Sequence, residues 1–357
     1  MNDDAGTPDV PSARDLPDGP DPTDPMSAET PLTPMEPMRS DDPAVEMLLD
    51  PEPSRIPGTR YRSEDAPSGL SDGLNEVLPV RSFRQDAWRR FRRNKLALFG
   101  LALVVFLVLV GLIGPFLVQD PLVQERLIFK SNPDAAHWFG TDQVGRDVFA
   151  RVIYGIRLSL FIGFIVTMLE TVIGISLGAL AGWRGRMTDA VIMRLVDIFL
   201  GIPYLVLAFA FIAVIGKGVS AMIITLAVTS WLTTARLVRA GFLQAKRFEY
   251  VEAARAVGVP SYRIVWRHIL PNIVQPIIVL VAIGIGSAVL AEAALSYLGV
   301  GVQEPTPSLG LMIARSQSFF STAPHLLLFP ALAIVLTVLS FLLVGDGLRD
   351  ALDVKES

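Results

Sequence analysis

Cysteine is absent from the 357 residues. Its absence excludes disulfides, thiolate metal sites and cysteine nucleophiles, and leaves the compartment open. Histidine is scarce: His137, His268 and His325 are scattered, with no His-x3-His spacing, so no metal site is expected. No G-x-x-x-x-G-K-[ST] occurs. Gly216-Lys217 lacks both the earlier glycine at the right offset and the following Ser or Thr, so the chain is not expected to bind ATP as a P-loop protein does. Charge is thin as well. Only 18% of residues are charged, against about 25% in soluble domains. What is present in excess is apolar, at 51% hydrophobic residues and a mean hydropathy of +0.47.

The charge is unevenly spread. Residues 1–60 hold fourteen Asp or Glu against four Lys or Arg, a net of −10, together with 13 of the 26 prolines. The whole chain is −4, so residues 61–357 are net +6. An acidic, proline-rich tract buries too little apolar surface to offset its ordering entropy, so residues 1–80 are expected to be a disordered tail. The tract has no apolar h-region of a secretory signal peptide. Residues 81–95 form a basic segment.

A membrane-spanning helix needs about 20 apolar residues, and six stretches come close: 96–118, 158–183, 190–216, 219–235, 271–299 and 326–344. In lipid the backbone must satisfy its own hydrogen bonds, so these are expected to be helices of an all-α integral membrane protein. Short-loop Lys and Arg orient such a chain. Arg84, Arg89, Arg90, Arg92, Arg93 and Lys95 precede the first stretch. Arg184 and Arg186 fall in the second connection, and seven basic residues fall in 236–270. Both termini are therefore expected in the cytoplasm, with the chain in the cytoplasmic membrane. The 119–157 segment, expected outside, has mixed charge and fits this scheme less cleanly.

Residues 236–270 are too polar to span and rich in helix formers. Leu243, Tyr250, Ala254 and Val257 are spaced to share a helical face. Gly258 interrupts, Pro260 prevents simple continuation, and a second short helix is expected from about Ser261 to Ile269. Two short helices with a fixed bend at the inner membrane surface suit docking to a cytoplasmic partner. A solvated amphipathic loop resting on lipid headgroups fits the same pattern.

Glu252-Ala253-Ala254, then Gly258, then His268-x-Leu270-Pro271 resembles the EAA loop, E-A-A-x3-G-x9-I-x-L-P, of ABC importer permeases. The ending His268 to Asn272 resembles the dipeptide, oligopeptide and nickel permeases in particular. Other stretches resemble the C-type subunit of that family: His137 with Gly140-Thr141-Asp142 and Gly145-Arg146-Asp147, Arg151, Gly155, Arg157 and Ser159-Leu160; Met193-Arg194-Leu195 with Asp197 and Pro203; Ala291 to Ser296 and Leu298 to Gln303, then Pro305 to Ser308; and Gly345 to Asp350. Ala150, Glu304 and Leu309 depart from the usual residues. The likeness covers about 85–354 and implies the six-helix type I importer fold over 96–351. It implies a heterodimer with a related permease, two cytoplasmic ATPases that use the ATP and magnesium, and an extracytoplasmic solute-binding protein. No cofactor is expected on this chain, and nucleic acid is not among the expected partners. The coupling residues would be Glu252, Ala253, Ala254, Gly258, His268, Leu270 and Pro271. The solute would be a peptide, with nickel complexes, glutathione or another small solute as alternatives.

Charges inside spans are costly and are read first as functional. Glu170 either faces the solute pathway or pairs with a neighbouring helix, the second being favoured. Arg194 and Asp197 lie three apart and are expected to pair on one helix face. Glu292 would either meet a solute amino group or serve structure. An ion-coupled secondary transporter would show inverted repeats, and none is seen. An intramembrane hydrolase would need a base near Ser296 or Ser340, and no histidine is suggestively placed.

Overall fold

The computed structural model describes residues 83–125 and 128–353. The tail expected over 1–80 lies outside the described residues. Among those described there is no strand. Five helical stretches are long and apolar enough to cross a membrane, or six if one sharply bent pair counts as a span.

The basic segment forms α1 (Phe83–Arg93), and Asn94 separates it from α2 (Lys95–Ile113). Asn94 has an extended backbone, and its side chain accepts from the Leu96 and Ala97 amides at 3.1 Å each, a side-chain cap on two orphan donors. Its amide also donates to Asp350 at 3.3 Å. Phe91, Ala97 and Ala351 form a buried cluster, so the basic segment is tied to the far end of the chain.

The next helix, α3 (Val148–Arg184), has 37 residues, roughly 55 Å at about 1.5 Å per residue. It starts ten residues before the apolar run expected at 158. The cap is Asp147, which accepts from the Ala150 amide at 2.8 Å. The early start follows from charges that meet in space: Arg151 is buried beside Asp142 at 3.7 Å.

The stretch expected as one span over 190–216 is two helices, α4 (Arg186–Leu200) and α5 (Tyr204–Ile215), bent by 99°. Pro203 lacks an amide hydrogen and drives Ile202 out of the helical region, which breaks the helix there. By contrast α6 (Val219–Ser230) and α7 (Leu232–Ala245) run on as one 27-residue stretch. This passes the expected boundary at 235, because Arg236 and Arg239 find acidic partners on α4. Arg236 meets Asp197 at 2.5 Å, and Arg239 grips Asp189 with two nitrogens, one at 2.6 Å. The expected Arg194–Asp197 pair does not form, since Asp197 is taken by the neighbouring helix.

After α8 (Glu249–Ala256) comes α9 (Ser261–Ile264), which continues through a π turn, Val265–Ile269, and a 3-10 turn, Leu270–Asn272. Then follow α10 (Val274–Tyr297), α11 (Leu309–Ser316) and α12 (His325–Leu352).

Close packing of α3 on α7 rests on Gly174, Gly178 and Gly182, four residues apart on one face. A Cβ on each would lie 2.6 Å from the Thr234 side chain, 2.5 Å from the Ala235 carbonyl and 2.5 Å from Phe242 Cβ. Small residues at this spacing let two backbones approach where lipid gives no hydrophobic drive between helices.

Candidate coupling element and cleft

The Glu252 motif sits on α8. Glu249 and Glu252 occupy its first turn, where the helix dipole favours carboxylates. Its end is a Schellman turn: the Gly258 amide donates to the Arg255 carbonyl at 2.9 Å and the Val259 amide to the Ala254 carbonyl at 3.0 Å. Gly258 has φ +81°, and nothing lies within 4 Å of where its Cβ would be. The position demands glycine for its backbone angle and not for space. Pro260 then leads into α9.

One side of this element is anchored. Val251 is fully buried with Val238, Phe242, Ala245, Ile264, Ile269 and Ile277, and Ala254 and Leu270 pack on the same cluster. Two polar clamps add to this. The Arg255 guanidinium lies 4.7 Å over the Trp183 ring at the end of α3, and Lys246 stands 5.3 Å from the same ring while donating to the Trp183 carbonyl. The Asn272 amide donates to the Tyr250 hydroxyl at 2.7 Å and to the His268 carbonyl at 3.0 Å. The element is thus fastened to α3, α7 and the start of α10.

The other side is open. Glu252, Ala253, Gly258 and Pro271 are exposed, and His268 is half-buried. Val257 is 84% exposed, and Tyr262 and Trp266 are also turned outward. The face expected for Leu243, Tyr250, Ala254 and Val257 is not shared: Leu243 lies on α7, before the break at Phe248, and Val257 points away from the cluster that holds Ala254.

A second constellation lies at the opposite end of α3. Asp142 accepts from Arg146 Nε at 2.6 Å and from the Val144 and Arg146 amides at 2.9 Å each. His137 Nδ1 bonds Asp147 Oδ2 at 2.7 Å, so one carboxylate holds the histidine and caps α3. That bond raises the His137 pKa above its ordinary 6.5, against the opposing effect of burial. Nearby, Glu292 is 0% exposed and accepts from three hydroxyls: Ser159 at 2.7 Å, Ser296 at 2.9 Å and Ser308 at 2.9 Å. Ser296 also accepts from the Val302 amide at 3.1 Å. Glu292 is therefore sealed away from any passing solute.

Glu170 is placed differently. It lines a cleft of about 750 Å³ with residues of α4, α5, α6, α7 and α10, among them Tyr204, Thr229, Ser230, Thr233 and Ser287. Arg194 is not among the residues of this cleft, and Asp197 is held by Arg236. The clamps on Trp183 were missed by sequence reasoning, because nothing in the spacing of Trp183, Lys246 and Arg255 brings them together. The Gly174, Gly178, Gly182 repeat is a signal in the sequence that could have located this helix contact.

An all-helical chain with these spans, and with the motif-bearing helix fastened to three of them, is the membrane subunit of a transport system. The chain belongs to the family described as the binding-protein-dependent transport system inner membrane component, whose pattern matches residues 174–356. The N-terminal TM domain of oligopeptide transport permease C matches residues 82–133. Similar proteins include the dipeptide transport system permease protein DppC of Bacillus subtilis (strain 168), 41% identical, covering 78% of this chain and 87% of the relative. The oligopeptide transport system permease protein OppC of the same strain is 39% identical, over 81% of this chain and 96% of its own. The glutathione transport system permease protein GsiD of Pectobacterium atrosepticum is 40% identical, over 77% and 92%. Among solved structures, a chain of the inward-facing MetNI methionine ABC transporter is 21% identical with a TM-score of 0.47, covering 56% of this chain and 96% of that one. The chain is thus a permease subunit of an ABC importer, a multi-pass protein of the inner membrane.

Proposed function

We propose that this permease forms half of a pathway for peptides, and that the segment from Glu249 to Asn272 is where a cytoplasmic ATPase docks. The observation that carries the docking reading is the two-sidedness of α8. Val251 and Ala254 are sunk into the helical bundle, while Glu252, Ala253 and Val257 face outward. A helix held this way passes a push from outside to α3, α7 and α10 together.

In this reading a related permease completes the pathway, two ATPase subunits bind and hydrolyse ATP with magnesium, and an extracytoplasmic binding protein delivers solute. This chain does no catalysis. Its basic segment, its coupling element and both termini lie on the cytoplasmic side, and the His137 end lies outside. Peptide as the solute is supported by the dipeptide and oligopeptide relatives. Glutathione is the second reading, supported by a relative of nearly equal identity.

The test is to reconstitute the complex with Gly258→Val and, separately, with Glu252→Ala. A non-glycine residue at positive φ is strained by about 1–2 kcal/mol, a local cost that leaves the spans intact. Both variants are expected at near-parent levels in the membrane, with peptide uptake uncoupled from ATP hydrolysis. If both bind the ATPase and transport as the parent does, the docking reading fails.

A further inference from the structure

We propose that Glu170 is the point in the pathway that binds the ammonium group of the solute. The inference rests on the peptide reading above and adds a site to it. Glu170 lies on α3, roughly 21 Å from the Arg184 end at about 1.5 Å per residue, so it stands well inside the membrane-crossing part of that helix. Its cleft, about 750 Å³, falls in the roughly 300–1,000 Å³ range of small-molecule sites.

Five other acidic groups in or beside the helical bundle are compensated. Asp142 has Arg146, Asp147 has His137, Asp189 has Arg239, Asp197 has Arg236, and Glu292 has three serine hydroxyls. Glu170 has no cationic partner, and a single hydroxyl, that of Ser230, reaches its carboxylate. No Lys or Arg lines its cleft among the described residues, and the polar groups around it are the neutral hydroxyls of Tyr204, Thr229, Ser230 and Thr233. A carboxylate at such depth calls for a cation or a bundle of donors, and marks a substrate or ion path where neither is built in.

The neighbourhood suits an ammonium better than a metal. No second carboxylate and no histidine lines the cleft among the described residues. An ammonium has three N–H donors and no acceptor. One carboxylate and two hydroxyl oxygens satisfy it. Room for the carboxylate is kept by Gly284 on α10, where a Cβ would lie 3.0 Å from Glu170 Oε1 and 3.0 Å from Thr167 Cγ2. A free peptide carries its α-ammonium near neutral pH, with a pKa of about 7.7–8.0.

The test uses the whole complex with its binding protein in proteoliposomes and labelled dialanine as the probe. Hydrogen bonds to a charged group are each worth enough that Glu170→Gln is expected to lower dialanine uptake about tenfold or more. Glu170→Asp keeps the charge and is expected to retain most of the uptake. ATPase association and binding-protein-stimulated hydrolysis should stay near the parent level in both. In a second arm, carbodiimide added during turnover should join the amine of dialanine to the Glu170 carboxyl as an amide, with loss of water to the carbodiimide. N-acetyl-dialanine, which lacks the ammonium, should not couple. Glu170→Gln transporting like the parent overturns the inference, because the charge is then unused. Equal loss in Gln and Asp, with no coupling, also overturns it, because the side chain is then only packed. A parent complex that hydrolyses ATP with its binding protein but moves no dialanine removes the peptide reading itself, and this inference with it.

Discussion

The two polar regions of the molecule are built on opposite plans. Around His137, Asp142, Asp147 and Glu292 the charged and hydroxyl groups are buried and face one another. Around α8 the side chains divide into a held side and an open side, with Val251 and the Trp183 clamps on the first and Glu252, Val257, Tyr262 and Trp266 on the second. Groups that satisfy one another make a scaffold that fixes loops and helix ends. Groups left facing outward from a firmly held helix make a surface for something else. Motif residues occur in both regions, so by themselves they do not separate the two uses.

The sharpest way to break the comparison is Glu292→Ala. It leaves three buried hydroxyls without their acceptor, at about 1–3 kcal/mol for each unsatisfied group. A large fall in membrane-inserted protein and in thermal midpoint in detergent is expected, whatever the solute. Near-parent stability would show that the buried network is not a scaffold. Gly258→Val should give the reverse pattern, with protein level preserved and uptake lost, and measuring level and uptake on both variants places the two regions on one plot.

A smaller effect is expected from Arg255→Ala. A cation–π contact is worth about 0.5–2 kcal/mol, and the buried anchor of Val251 remains. Uptake per ATP hydrolysed should fall severalfold while ATPase association persists. Unchanged coupling would mean that the buried cluster alone transmits the push.

The smallest effect concerns pH. The His137 pKa is raised in the folded chain, chiefly by its hydrogen bond to Asp147. The stabilisation from this pair is therefore fully present below the unfolded value of about 6.5 and is lost as pH rises through the folded pKa. The thermal midpoint should drop slightly on going from acid to mildly alkaline pH, and His137→Gln should flatten that slope. An unchanged slope in the variant would remove His137 as its source.

Parts of this were readable from the residues. The apolar runs marked the helices because hydropathy is a local sum, and the Glu252 to Pro271 pattern marked the bend because Gly258 and Pro260 act on their own backbone. The 27-residue run from Val219 to Ala245 extends past the boundary that hydropathy sets at 235, where the charges of Arg236 and Arg239 interrupt the apolar run. Each has an acidic partner on α4, Asp197 for the exposed Arg236 and Asp189 for the half-buried Arg239. The mixed charge of 119–157 has the same origin, with Arg146 and Arg151 buried beside Asp142.

The sequence by itself determined that this is a helical membrane chain, where its apolar runs lie and which segment carries the Glu252 to Pro271 motif, because each depends on neighbours along the chain. Only the tertiary structure decided that Asp197 pairs with Arg236 and not Arg194, that Glu292 is sealed among serines while Glu170 opens on a cleft, and that Trp183 holds α8. These depend on which helix faces become neighbours. Residues such as Ser159 and Glu292, 133 positions apart, meet only when the bundle closes.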